Sequence, residues 1–357
     1  MESAQELRLG TRGSQLALWQ ANTVAARIAA AGGPACRIVV IRTDGDRLQE
    51  RPLSEIGGKR LFVKEIEDAL LGGHIDIAVH SSKDMSAVLP EGLTIAGVLP
   101  RENPLDAMVL PVMADGSGLM AREATRHPSY ALSPQPSAMT TIDDLVAALG
   151  PTPSIGTGSV RRIAQLTRLF PGGRFTGIRG NLDTRLRKLD EGAHDALVLA
   201  AAGLNRLGFG SRISFLVPAS ACIPAPGQGI VALEIRSGDV RVREAVARIG
   251  DAAAMDALAA ERALVATLGG GCQTPVGALA SIGDDDSIEI VAVVAALDGS
   301  RVVRGHARAP RRDAAAIGSR VGAQLLADGA GDILAEAQRM HTRLNAQVST
   351  LTRETRD

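Results

Sequence analysis

Short aliphatic and β-branched runs alternate along this chain with stretches whose apolar residues recur every three or four positions, which predicts an α/β fold. Leu7–Gly10 reads as a strand entering the turn Thr11-Arg12-Gly13-Ser14, and a helix over Gln15–Ala30 stops at Gly32-Gly33-Pro34. Cys36–Thr43 is a β-branched strand, Phe62–Leu71 a helix, and Ile75–Val79 and Leu93–Val98 are further strands. A second series opens near Thr141, where Thr141-Ile142-Asp143-Asp144 has the form of a capped helix start with acidic residues in its first turn. Strand Ser154–Gly156, helix Ser159–Phe170, strand Phe175–Ile178, helix Leu182–Asp190 and strand Ala196–Ala200 continue it.

Past Asp251 an Ala-rich helix leads to Gly269-Gly270-Gly271-Cys272, and Ile288–Leu297 and Arg301–Ala307 flank Asp298-Gly299 as a hairpin. Helices close the chain, and its polar last dozen residues read as frayed. Three domains are expected. Gly10-Thr11-Arg12-Gly13-Ser14 and Gly156-Thr157-Gly158-Ser159 each follow a strand and open a helix, so two similar lobes would set such turns at the mouth of a shared cleft. The Pro-, Ser- and Met-rich segment 111–139 fits neither series and reads as disorder or a surface excursion.

Composition narrows the function. The 357 residues are 45% hydrophobic and 22% charged, a globular balance too long for one core. Formal net charge is +0 and aromatics are 2%, which argues against nucleic acid and anionic membranes as partners. The N-terminus lacks a signal-peptide pattern and no apolar run is long enough to span a membrane, so a cytoplasmic protein is expected. Cys36, Cys222 and Cys272 include no CxxC pair, and the six histidines no HExxH, so neither a disulfide framework nor a metal site is expected.

Arg12, Arg161, Arg162, Arg179 and Arg185 all sit in or just after strand-to-helix turns containing Gly, Ser or Thr. They are either solvated helix-face residues or the lining of an anion cleft, suited to phosphate or to a polycarboxylate. Nucleotide motifs fail on spacing: Gly57-Gly58-Lys59-Arg60 lacks the rest of a P-loop, and Gly156-Thr157-Gly158 lacks a third glycine. His80-Ser81 as a base and nucleophile is disfavoured, since sequence neighbours rarely face each other. Val79-His80-Ser81-Ser82-Lys83-Asp84 groups polar side chains at a strand end, where α/β folds place their sites; a turn with an Asp cap is the alternative. A carboxylate there, beside Lys83 and near arginines, would stay ionised and could stabilise a cationic intermediate. Cys272 follows three glycines and is either an accessible reactive thiol or a loop residue, while Cys36 and Cys222 have apolar surroundings suited to packing.

Taken together, these segments resemble the porphobilinogen deaminase family. The resemblance rests on Gly10-Thr11-Arg12 with Ser14 and Leu16-Ala17-Leu18-Trp19-Gln20, on Gly57-Gly58-Lys59, on Leu61-Phe62-Val63-Lys64-Glu65, and on Asp76–Ser81 with Lys83-Asp84. It continues through Arg179-Gly180-Asn181, Thr184-Arg185-Leu186, Ala202-Gly203-Leu204 with Arg206-Leu207-Gly208, Pro226-Gly227-Gln228-Gly229, and Gly270-Gly271-Cys272-Gln273 with Pro275. It covers nearly the whole chain outside 111–139 and the tail.

The resemblance implies two lobes like type II periplasmic binding proteins and a smaller α/β C-terminal domain. Domain 1 would span 1–104 with 227–248, domain 2 would span 105–226 with an insertion at about 111–139, and domain 3 would span 249–357. It implies a transferase that joins four porphobilinogen molecules into hydroxymethylbilane with loss of ammonia, in tetrapyrrole (heme) biosynthesis. A dipyrromethane cofactor made from substrate would be held as a thioether on Cys272. Asp84 would be catalytic, hydrogen-bonding pyrrole N–H groups, stabilising the azafulvenium cation left by deamination and helping to move protons. Arg12, Arg161, Arg162, Arg179, Arg185 and Arg206 would bind cofactor and substrate carboxylates, assisted by Ser14, Lys83, Thr157 and Ser159. Lys59, Phe62 and Gln228 would belong to the substrate site and its loop, and the enzyme would be a cytoplasmic monomer.

The chain departs from the family pattern at Glu55, Arg60, Gly158 and Met85-Ser86, and in the insertion. These departures bear on loop dynamics and rate rather than on reaction class. A non-catalytic anion-binding module, or a deaminase that binds tetrapyrrole without turnover, are the competing readings.

Overall fold

The computed structural model describes residues 6–43, 63–112, 139–269, 274–340 and Thr342, which form three sheets. Lys59, Phe62, Cys272, Glu55, Arg60 and nearly all of the 111–139 segment lie outside the described residues.

The first sheet contains β1 (Leu7–Thr11), β2 (Cys36–Val40), β3 (Ile77–Ser81) and β4 (Leu93–Val98), joined much later in the chain by β10 (Val231–Arg236). Its order is β2-β1-β3-β10-β4; β1 runs parallel to β2 and β3, and β10 antiparallel to β3 and β4. The second sheet contains β5 (Asp106–Val109), β6 (Ser154–Gly156), β7 (Arg174–Thr176), β8 (Ala196–Ala200) and β9 (Phe215–Val217). Its order, β7-β6-β8-β5-β9, follows the same plan, with β6 parallel to β7 and β8 and β5 antiparallel to its neighbours. In each sheet a strand from outside the local series is wedged in antiparallel: β5 precedes its lobe and β10 returns after the other. The expected two similar α/β lobes and a smaller α/β unit are the architecture found.

Helix α1 (Gln15–Ala30) starts where Ser14 accepts a hydrogen bond from the Ala17 amide. It buries Ala17, Gln20, Ala21, Val24 and Ile28 at helical spacing against a core containing Leu7, Leu9, Ile77 and Val79. Helix α2 (Lys64–Leu71) covers the other side of this sheet, with Ile66 and Leu70 packed on Ile75 and Ala78. In the second lobe, α3 (Ile142–Leu149) opens with the anticipated cap, a reciprocal box between Thr141 and Asp144. Helices α4 (Val160–Leu166), α5 (Leu182–Asp190) and α6 (Ala201–Arg206) follow β6, β7 and β8. After α7 (Val240–Ala247), the last unit sets the antiparallel strands β11 (Val276–Ile282), β12 (Ser287–Ala295) and β13 (Val302–Pro310) against α8 (Ala252–Thr267) and α9 (Ala314–Leu325). The two helices approach closely at Gly318, where a Cβ would collide with the Ala260 carbonyl. Two apolar seams dock this unit: Met85, Val98, Ile230 and Ala232 meet Ala254 and Leu258, and Ala164 and Ile223 meet Val293 and Ala295.

Most elements fall where the hydrophobic pattern puts them, but several differ. Strand Cys36–Thr43 stops at Val40, the strand expected at Phe175–Ile178 is Arg174–Thr176, and helices α6 and α7 have no counterpart in the pattern. The strand expected at Ile75–Val79 is Ile77–Ser81, so His80 and Ser81 are strand residues. The helix expected to reach Phe170 ends at Leu166. Strands β5, β9, β10 and β11 have no counterpart in the sequence pattern; β5 and β10 each carry a fully buried carboxylate, Asp106 or Glu234, which breaks the apolar signature.

Candidate active site

Lobe 1 builds its half of the site from two strand ends. At the end of β1 the chain turns tightly beside Gly10, where a Cβ would collide with the Ile75 side chain. That turn delivers Arg12 and Ser14. At the end of β3 a single 3₁₀ turn, Ser82–Asp84, delivers Lys83 and Asp84. It packs under Gly227, whose φ is +74° and whose Cβ would lie 2.6 Å from Ser82 Oγ. Arg12, Ser14, Gln20, His80, Ser81 and Asp84 line one open cleft. Within it the buried Gln20 donates from Nε2 to Ser81 Oγ at 2.8 Å.

Lobe 2 contributes Thr157 and Ser159 from the equivalent β6–α4 turn, where the Ser159 amide donates to Thr157 Oγ1 at 3.3 Å. A Cβ on Gly156, at the end of β6, would likewise collide, here with the Leu197 side chain. Arg161 and Arg162 follow in α4, both buried, and converge on Asp106 of β5. Arg161 Nη1 lies 2.7 Å from Asp106 Oδ2 and donates to the Ile223 carbonyl at 2.8 Å. Arg162 donates from Nη2 and Nε to Asp106 Oδ1 at 2.8 and 3.1 Å, and from Nη1 to the Val198 carbonyl at 2.8 Å. Burial alone would push the Asp106 carboxyl up, but the two guanidinium groups outweigh it and hold the group far below the usual carboxylate range. Cys222, 0% exposed, lies against the same cluster, and burial pushes its thiol up to about 12, in keeping with the inert packing role expected of it.

The positive charge around this cluster is concentrated. Burial pulls the Lys83 ammonium down to about 8; Asp84 and Asp106 oppose that fall while Arg162 and Arg161 add to it. Arg185 is lowered by burial and by repulsion from Arg162 and Arg179, while its Nε donates to the Gly180 carbonyl at 2.9 Å. Cations held together against desolvation and mutual repulsion favour an anion between them. A bound carboxylate favours charged Lys83, so anion affinity should be level below pH 8 and fall as pH rises above it, by up to about tenfold per unit. Calorimetric titration of a dicarboxylate between pH 6.5 and 9.5 checks this, and Lys83→Gln should flatten the profile.

The two lobes are joined by crossings near 101–106 and 225–230. Gln228 donates from Nε2 to the Pro104 carbonyl at 2.7 Å and to Asp106 Oδ1 at 2.9 Å, tying the second crossing to the arginine cluster. Arg101 donates to the Gln228 carbonyl at 2.9 Å and to Glu261 of α8 at 2.6 Å. Glu261, 0% exposed, also accepts from the amides of Gly227 and Ala280. One polar chain thus runs from the C-terminal unit through both crossings into lobe 2. Arg206, at the end of α6, donates to the Gly229 carbonyl at 2.7 Å, and its guanidinium lies 5.6 Å from the ring centroid of Trp19 on α1.

Two family profiles match this chain: "Porphobilinogen deaminase, dipyromethane cofactor binding domain" over residues 7–244, and "Porphobilinogen deaminase, C-terminal domain" over 255–327. The chain belongs to the porphobilinogen deaminase family. The porphobilinogen deaminase of Bordetella parapertussis is 42% identical over 338 residues, covering 94% of this chain and 98% of that protein. That of Moorella thermoacetica is 41% identical over 334 residues, covering 93% and 97%. Among solved structures, immunogenic lipoprotein A from Vibrio vulnificus is similar with a TM-score of 0.38 and 13% identity, covering 68% of this chain and 94% of that one. The family polymerises porphobilinogen into hydroxymethylbilane in tetrapyrrole biosynthesis and carries a dipyrromethane cofactor.

Within this family member the residues expected at the site fall into three groups. Arg12, Ser14 and Asp84 line the cleft together. Lys83, Thr157, Ser159, Arg179 and Arg185 stand at strand ends or in the adjoining turns and first helical turns, and Lys83 and Arg185 feel the charges of the arginine cluster. Arg161, Arg162, Arg206 and Gln228 make their hydrogen bonds to the protein itself, to Asp106 and to carbonyls at or near the lobe crossings. Gly158, one of the departures from the family pattern, would have nothing within 4 Å of an added Cβ, so a side chain would fit there sterically. Met85, another of the departures, is a buried core residue 5% exposed. Sequence reasoning missed Gln20, Asp106, Glu234 and Glu261. A lone acid inside an apolar run was the available signal for Asp106 and Glu234.

Proposed function

We propose that this chain deaminates porphobilinogen and joins four molecules head to tail into hydroxymethylbilane, as a cytoplasmic monomer with its growing product held in the interlobe cleft. The concentration of cations around Lys83, Arg162, Arg179 and Arg185, beside the cleft carboxylate of Asp84, is the observation that carries this reading. A pyrrole oligomer with acetate and propionate arms supplies the anions these cations favour, and its ring N–H groups supply donors for Asp84. The donor set therefore fits a dipyrromethane.

When bound, the dipyrromethane supplies the free pyrrole carbon on which the chain grows. Arg12, Ser14, Lys83, Thr157, Ser159, Arg179 and Arg185 would hold its carboxylates and those of the substrate, and Cys272 would anchor it by a thioether. Asp84 would hydrogen-bond pyrrole N–H groups and offset the positive charge that develops as ammonia leaves porphobilinogen. Lys83, next to it in the chain, would balance the Asp84 charge between turnovers. Arg161, Arg162 and Arg206, engaged with the protein, would set the lobes and reach ligand carboxylates through their remaining N–H groups. Lys59 and Phe62 would belong to the substrate site, and Gln228 would act from the crossing. The domain limits 1–104 with 227–248, 105–226 and 249–357 accompany this proposal.

Intact mass before and after brief exposure to porphobilinogen tests the reading. A dipyrromethane-sized adduct followed by a ladder of pyrrole additions is expected; an unmodified mass that stays unmodified would reduce the protein to a polycarboxylate-binding cleft. Cys272→Ala should carry no adduct at all, and an adduct on that variant would move the anchor to another residue.

A further inference from the structure

His80 and Glu234 form a buried pair to which no role above is given. His80 stands one residue before the end of β3 and is 4% exposed; Glu234, on neighbouring β10, is 0% exposed. His80 Nε2 and Glu234 Oε2 are 3.0 Å apart. Ala232 is the register partner of His80 and Ala78 that of Glu234, so two alanines leave room for a diagonal contact between the larger side chains. Taking such a pair out of water costs more than packing apolar side chains in its place, so its location matters. His80 lines the same cleft as Arg12, Ser14, Gln20 and Asp84.

With Glu234 ionised, the bond places the imidazole proton on Nε2 and the lone pair on Nδ1. Among the described residues Nδ1 has no hydrogen-bond partner. Charged groups also stand on the elements around the pair. Helix α2 packs on this sheet and brings Glu65 and the buried Glu67. On β10, Arg236 follows two positions after Glu234, but its guanidinium is engaged with the Leu70 and Ile75 carbonyls, Asp76 and Asp239. Arg12 and Asp84 face the pair from the cleft.

We propose that His80 is the proton acceptor of the condensation step and that Glu234 is its positioning residue; this rests on the porphobilinogen reaction proposed above. Breaking the C–N bond of porphobilinogen releases ammonia and leaves an azafulvenium cation. The free α-carbon of the terminal pyrrole of the chain being built gives its electron pair to the cation's exocyclic methylene, and a C–C bond forms. That α-carbon now carries one hydrogen too many. Its proton passes to His80 Nδ1, and the C–H electron pair returns to the ring and restores aromaticity. The imidazolium is balanced by Glu234 at Nε2, and its proton leaves with the ammonia as ammonium. Asp84 is poorly suited to this transfer, because a carboxylate that accepts the proton no longer offsets the next cation.

Rapid-quench intact-mass measurements with porphobilinogen deuterated at its free α-carbon test the proposal on the cofactor-loaded wild type and on His80→Asn, Glu234→Gln and Asp84→Asn. His80→Asn is expected to add pyrroles roughly 100-fold more slowly, with a primary isotope effect larger than that of the wild type. Glu234→Gln, which preserves shape, should show a smaller loss and the same enlarged isotope effect. Asp84→Asn should slow addition without enlarging it, because C–N cleavage then limits; an Asp84→Asn variant at full rate would sink the Asp84 reading and leave His80 standing. Addition by His80→Asn at the wild-type rate, or slowed with an unchanged isotope effect, would overturn the proposal. Imidazole 15N NMR of the wild-type protein gives a readout independent of turnover: protonated Nε2 with bare Nδ1 is expected, and the opposite tautomer would overturn it.

Discussion

Asp84→Asn is expected to slow hydroxymethylbilane formation by about a thousandfold or more while leaving thermal unfolding within a degree or two of the wild type. The side chain sits on a one-turn 3₁₀ segment at the end of β3 and lines the cleft, so the fold gains little from its charge. A nearly isosteric amide retains a hydrogen-bond acceptor for pyrrole N–H but has no charge to set against a developing cation. Around it the cleft is crowded with cations, which makes the loss larger: Lys83, Arg161 and Arg162 would then face the cation with one anion fewer. Ammonia release and adduct mass, measured in single turnover, check the prediction. A variant that retains most of its activity would remove Asp84 from its role.

Asp106→Ala should show the reverse pattern, with unfolding affected first and activity following. Removing this carboxylate leaves two buried guanidinium groups, 4% and 10% exposed, without their counter-ion. Breaking such a pair from one side costs about 3–5 kcal/mol. The loss spreads further than the pair, because Gln228 also donates to Asp106 and thereby loses a contact between the second crossing and lobe 2. Urea denaturation of the variant should show an early transition, and Asp106→Asn should be intermediate. Because the folded Asp106 carboxyl lies far below its usual range, its stabilisation is present above about pH 4 and declines as the pH falls through the acid range towards the folded value. An Asp106→Ala protein as stable as the wild type would mean that the arginines find other partners.

The fold was legible wherever local chemistry and burial agree. Helix α1 has a serine cap and apolar residues at helical spacing, and its observed limits are those the pattern predicts. Strands Ser154–Gly156 and Ala196–Ala200 and helix Leu182–Asp190 are equally local. Strands β5 and β10 were not legible because each hides a carboxylate whose partner is far away in sequence. Asp106 is 56 positions from Arg162, and His80 is 154 from Glu234. A lone acid in such a run looks like a surface residue until the fold supplies its counter-group. The same distance limits the site. Arg12, Ser14 and Asp84 follow from their place at strand ends, whereas the engagement of Arg161 and Arg162 with the protein's own carboxylate appears only once β5 is seen to pair between β8 and β9.

That crossing pattern also sets an order of assembly. The second sheet draws all its strands from Asp106–Val217, whereas the first, begun at Leu7, waits for Val231–Arg236. A ribosome therefore releases every strand of the second sheet before it completes the first, although the first is begun earlier. Until β10 slides in, β3 and β4 each present an unpaired edge open to pairing with another chain. A chain that terminates between Val217 and Val231 thus keeps its newest sheet and leaves its oldest one unfinished.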